Sequence, residues 1–170
     1  MAERSQSDSA LVHLSERLTN SAAFSNLFRE GMDLVEETAA YLDGAGRTEA
    51  KALDRAVSLT YATESMRLTT RLMQLASWLL LHRAVKEGEM TLTQANREKT
   101  KVKLSAADPG PEDMVTKLPA QLQELIARSM SLQARVRRLD TTIHAPPAER
   151  PPIGNPLVPQ LNRLKAAFEQ

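Results

Sequence analysis

The side chains of this sequence best suited to chemistry near neutral pH are three histidines, His13, His82 and His144. They fall in three different segments. None has a second histidine three or four residues away, so no helical histidine pair is available to a metal. The chain has no cysteine, which excludes a disulfide framework and a thiolate metal site. Carboxylates are scattered apart from Glu36 with Glu37 and Glu112 with Asp113. Adjacent residues on a helix point about a hundred degrees apart, so neither pair shares one site. Six glycines are too few for a phosphate loop or a dinucleotide fingerprint, and neither motif is present. These observations point away from an enzyme and away from any cofactor.

One stretch needs weighing, "HRAVKEG" from His82 to Gly88. A histidine followed by lysine and glycine on a helix resembles a histidine-phosphotransfer domain, and phosphotransfer through His82 is the alternative function. The spacing departs from that family, in which lysine stands three residues after the histidine with glycine next; here Lys86 is four on and Gly88 six on. The plainer reading is a histidine bordering an apolar face near a helix C-terminus, where a cation is favoured. Glu64, between Tyr61 and Leu68, reads as the edge of a stripe or as the partner of a side chain from another helix. Arg97, Lys99, Lys101 and Lys103 form a basic run without interleaved aromatics, and Arg135, Arg137 and Arg138 read as an exposed side. With a formal charge of +1, nucleic acid is not an expected partner.

The elements around these residues are helical. Leu, Ala, Arg, Glu, Gln and Met are abundant, and aromatics make up only 4%. Residues 1–8 are polar and expected to be disordered. A first helix is expected over about 9–43, firm from Phe24 through Leu27, Phe28, Gly31, Val35, Thr38 and Leu42, and ended by "DGAG" at Asp43–Gly46. Thr48 reads as the N-cap of a second helix over about 48–87, without a breaker until Gly88. It carries one stripe of Tyr61, Leu68, Leu72, Leu75 and Leu79 and a second of Met66, Met73 and Leu80. A helix apolar over so much of its surface meets more than one partner. The second stripe is the candidate dimer or cargo patch. A short helix over about 91–100 follows, capped by Thr91 or Thr93, and "AADPGPED" is loop. The third helix, about 115–144, has the seam Leu118, Leu122, Leu125, Ser129, Leu132, Val136, Leu139, Ile143, in alternating steps of four and three. The expected fold is an all-α, antiparallel, up-down-up three-helix bundle with a disordered N-terminus and a proline-rich C-terminal tail.

Six of the nine prolines fall between Pro146 and Pro159, and residues 145–170 are expected to form a flexible tail. The prolines stop the third helix and make a semi-rigid spacer. After it, Leu157, Leu161, Leu164 and Phe168 can share one helical face, the anchor pattern of a peptide docking into a groove. The longest purely apolar run, Trp78–Leu81, is far short of a membrane span, and the N-terminus lacks the order of a signal peptide. A cytoplasmic protein without membrane insertion is therefore expected.

The central segment "SLTYATESMRLTTRLMQLASWLLLHRAVKEGEMT", the bundle layout and the proline-broken tail resemble the bacterial RcdA family, regulators of CtrA degradation. The likeness runs from about Phe24 to the tail and rests on no catalytic motif. The resemblance implies a dimeric, non-enzymatic adaptor that links substrate proteins, CtrA among them, to the ClpXP protease at a cell pole. It further implies partnership with CpdR, which primes the protease, and with the adaptor PopA.

Overall fold

The computed structural model describes residues 21–99 and 111–144; the expectations for residues 1–20 and for the tail lie outside them. The described residues form six helices and no strand: α1 (Ala22–Asp43), α2 (Ala45–Lys51), α3 (Arg55–Lys86), α4 (Leu92–Lys99), α5 (Glu112–Val115) and α6 (Ala120–Ile143). The all-α fold class is as expected. None of these helices is long and apolar enough to cross a membrane.

Helix α1 starts where the Ser21 hydroxyl accepts the Phe24 N–H at 3.2 Å, an N-cap that satisfies one of the free donors of the first turn. It buries Phe24, Leu27, Gly31, Leu34, Thr38 and Tyr41, a single face in steps of three and four. Gly31 is the point of closest approach, because a Cβ added there would collide with Leu79 Cδ1. The chain turns at Gly44, and α2 folds against the ends of both its neighbours. Tyr41 donates its hydroxyl to Glu49 Oε2 at 2.7 Å, and Gly46 lies against the Tyr61 ring hydroxyl and the Tyr41 backbone.

The uninterrupted helix expected over 48–87 is corrected here. Thr48 lies inside α2, and residues 52–54 separate α2 from α3. The new helix starts at Asp54, whose carboxylate accepts the Val57 N–H at 2.9 Å. Asp54 suits the N-cap because its short side-chain acceptor reaches forward to a free N–H donor of the first turn. The Tyr41–Glu49 bond ties α2 to the end of α1. At its far end α3 closes on Gly88, with φ of 76°. The Gly88 N–H reaches Val85 O and the Glu89 N–H reaches Ala84 O, the paired bonds of a Schellman stop. Helix α4 begins with a reciprocal cap in which Thr91 Oγ1 accepts the Gln94 N–H and Gln94 Oε1 accepts the Thr91 N–H. Its Ala95 is fully buried.

Helices α1, α3 and α6 pack against one another pairwise. Their directions follow from paired residues. Phe28 lies under Arg83, Gly31 meets Leu79 and Tyr41 stands beside Tyr61, so α1 and α3 are antiparallel. Glu30 pairs with Arg135 and Glu37 with Arg128, so α1 and α6 are antiparallel. Arg71 meets Ser129, Trp78 meets Asp140 and His82 meets His144, so α3 and α6 run parallel. The up-down-up arrangement is thereby corrected to up-down-down. The rule that places neighbours antiparallel applies to short connections. Residues 87–119, with α4 and α5 among them, give the chain enough length to return to the opposite end before α6 begins.

The core is aliphatic around one indole. Trp78, Phe24, Leu34, Leu68, Leu75, Leu79, Leu122, Leu125, Leu132 and Val136 are essentially solvent-free. In the α6 seam, Ser129 is the polar member and accepts a hydrogen bond from Arg71 Nη1 at 2.8 Å while donating to Ile126 O at 2.7 Å. Buried Glu64 finds its partner on its own helix, Arg67 Nη1 at 2.6 Å, rather than on another helix. Leu132→Ala should destabilise the fold by about 2–5 kcal/mol in chemical denaturation. Gly31→Val should cost about 1–3 kcal/mol in the same measurement, since the added branches must displace Leu79.

Candidate partner-binding face

Five large apolar side chains are exposed among the described residues, and four of them stand on α3: Leu59, Met66, Met73 and Leu80. They repeat every seven residues, so they line up along the side of the helix away from Leu68, Leu75 and His82. Their exposure is 71%, 71%, 66% and 52%, values that belong to surface and not to a core edge. Helix α3 therefore has an apolar stripe on its outer side in addition to its buried one. Met66, Met73 and Leu80 are exposed, and Leu59, which the sequence reading missed, extends their stripe by one more step of seven, the spacing that could have found it.

Four hydroxyls beside this stripe bond to the backbone of their own helix. Thr60 donates to Ala56 O, Thr63 to Leu59 O, Thr69 to Ser65 O and Ser77 to Met73 O, each one turn back on the same helix. Back-bonding of this kind satisfies the hydroxyls locally and leaves the threonine methyls outward. A partner docking here has few hydroxyls to desolvate. Two methionines at the centre add adaptable, polarizable surface. A row of exposed apolar side chains of this kind is a candidate interaction face. The four tail anchors Leu157, Leu161, Leu164 and Phe168 lie outside the described residues.

His82 sits on the opposite side of α3 and is fully buried. Its ring stacks on Trp78 with centroids 3.9 Å apart, and its Nδ1 lies 2.9 Å from Trp78 O. A phosphoryl donor cannot reach a ring nitrogen so enclosed, so the geometry overturns phosphotransfer through His82. His144, at the end of α6, comes within 3.2 Å, Nε2 to Nε2. Asp140 completes the group. It accepts Trp78 Nε1–H on Oδ1 at 2.8 Å and Lys99 Nζ on Oδ2 at 2.6 Å, and its Oδ1 lies 3.6 Å from His144 Nε2. Sequence reasoning missed Asp140, Lys99 and Trp78; the available signal was the spacing of Asp140 and His144, one turn apart. Lys99, read there as part of a solvated basic run, is an ion-pair partner.

Burial is the main cause that pushes His82 down to about 4, and the nearby His144 and Lys99 charges add to it. The Trp78 carbonyl and Asp140 oppose it. Burial also holds His144 below its ordinary value, with Lys99 adding and Asp140 opposing.

Two outcomes follow for stability. Met66→Gln with Met73→Gln should change the unfolding free energy by less than about 1 kcal/mol, because neither side chain contributes to the core. The pH effect has a definite sign. The unfolded chain takes up a proton at His82 near the ordinary 6.5, the folded chain only near 4, so the contribution is complete above 6.5 and is lost as pH falls toward 4. Melting temperature measured across that window should fall with acidification, and His82→Asn should show a flatter slope.

Comparison with known proteins places this geometry. A search of the curated proteins finds no match. A family model described as "Protein of unknown function (DUF1465)" matches residues 15–168. Among solved structures, the crystal structure of RcdA from Caulobacter crescentus CB15 aligns with 51% sequence identity and a TM-score of 0.62, covering 75% of this chain and 96% of that one. With a family match over most of its length and a relative of that identity, the chain belongs to the DUF1465 family and to the RcdA family.

Proposed function

We propose that this chain is a non-enzymatic adaptor that delivers substrate proteins, the cell-cycle regulator CtrA among them, to the ClpXP protease primed by CpdR. The observation that carries this reading is the 51% identity to RcdA across nearly the whole of that chain. The exposed stripe on α3 supports it independently, since an adaptor works through surfaces and not through reactive groups. In this reading the stripe of Leu59, Met66, Met73 and Leu80 takes a substrate or a second copy of the chain as a homodimer. The anchors Leu157, Leu161, Leu164 and Phe168 dock on the protease side or on PopA. The protein acts in the cytoplasm at a cell pole.

The division of labour is testable with purified components. A chain ending at Pro152 should melt within a degree or so of the full chain and keep its helicity, yet fail to accelerate degradation of a substrate by CpdR-primed ClpXP. Unfolding of the truncated chain would show that the tail belongs to the bundle. Met66→Glu with Met73→Glu should leave the melt unchanged and weaken substrate capture or self-association about tenfold or more, since a charge replaces each central apolar contact. Full delivery by that variant would remove the stripe from the binding surface.

A further inference from the structure

We propose that His82, Asp140 and His144 form a binding site for a borderline divalent transition-metal ion, with Zn2+ the ion that fits best. Their ligand atoms lie within 4.8 Å of one another. The Nε2–Nε2 distance of 3.2 Å is close to the edge of a tetrahedron around zinc, about 3.3 Å for bonds of roughly 2.0–2.1 Å. The separation of 3.6 Å between Asp140 Oδ1 and His144 Nε2 is a slightly wider edge of the same figure. Two imidazoles and one carboxylate leave a fourth position for water.

The surroundings are those of a metal site. His82 Nδ1 faces the Trp78 carbonyl at 2.9 Å, and a carbonyl only accepts, so Nδ1 carries the proton and Nε2 is a bare lone pair. That lone pair points at His144 Nε2. A carbonyl behind the non-ligating nitrogen is the usual support of a metal-bound histidine, fixing its tautomer and ring direction. Asp140 is held in the same manner by the Trp78 indole N–H. The stacked indole fixes the His82 ring plane. The site also lies at the C-terminal ends of two parallel helices, α3 and α6, where a cation is favoured.

One charge competes. Lys99 Nζ occupies Asp140 Oδ2, and its side chain, a fifth exposed, can swing outward. The site therefore accommodates one cation at a time near Asp140, the ammonium or the metal.

The test uses the full chain with Zn2+ alone, followed by Co2+ as a spectroscopic probe. Zn2+ should raise the melting temperature, and Co2+ should give the visible bands of four-coordination. His144→Gln, at the end of α6, should weaken binding about tenfold or more with helicity retained. Lys99→Met should tighten it, because the competing cation is gone. Absence of binding by the wild type would overturn the site; equal binding by wild type and His144→Gln would place the metal elsewhere, His13 included, and overturn it as well. If His144→Gln loses its helicity, Lys99→Met decides: tighter Zn2+ binding supports the site, and unchanged binding overturns it.

Discussion

The parallel run of α3 and α6 is the constraint on which the remaining structure depends. It brings two helix C-termini, each with its partial negative charge, to the same end of the bundle. That end is compensated. The α1 N-terminus, with its positive partial charge, sits there, since Phe24 packs on Trp78 and Lys86 reaches Ser25. Arg83 and Lys86 stand in the last turn of α3, and Lys99 comes in from α4. Basic side chains that look scattered along the sequence are thus concentrated where two helix C-termini favour them.

Parallel apolar seams have a second difficulty. Leucine-rich faces can slide past each other by a heptad at little cost, so something must fix the register. Here polar contacts do it. A slip of seven residues would set Arg71 against Leu122 or Val136 instead of Ser129, leaving a buried guanidinium without an acceptor. The same slip would separate Trp78 Nε1 from Asp140. Burial already disfavours the charge on Arg71, so it bears the cost of desolvation in exchange for one alignment of the helices. Ser129 interrupts the seam for this reason and not through a defect in packing.

How much of this was legible in the sequence depends on the range of the interaction. The α6 seam can be read residue by residue, because burial of a helical face is a local consequence of 3.6-residue periodicity. Stripe residues Met66, Met73 and Leu80 stand out by the same rule. The break before Arg55 was obscured because Asp54 sits within a run of good helix formers. The Tyr41–Glu49 bond, made to the preceding helix, is a tertiary contact that periodicity does not reveal. The direction of α6 was not legible at all. It is decided by the path of residues 87–119, whose composition carries no directional signal. The group of His82, Asp140 and His144 depends on that direction, since an antiparallel α6 would have placed His144 at the other end of the bundle.

The same direction also sets how the two proposed binding elements relate. His144 touches His82, two residues beyond Leu80, so the last described residue stands at one end of the exposed stripe. From Leu59 to Leu80 the stripe runs about 32 Å at 1.5 Å per residue. A spacer over residues 145–156, extended as polyproline at roughly 3.1 Å each, reaches about 37 Å. Under the adaptor reading, a protease gripping the tail anchors stands within a spacer length of any point on the stripe. Two contacts at that separation reinforce each other through effective concentration, and each can remain weak. An up-down-up bundle with the same sequence would root the tail beside Leu59. Its reach would be unchanged, but position 144 would then stand at the end of the bundle opposite His82.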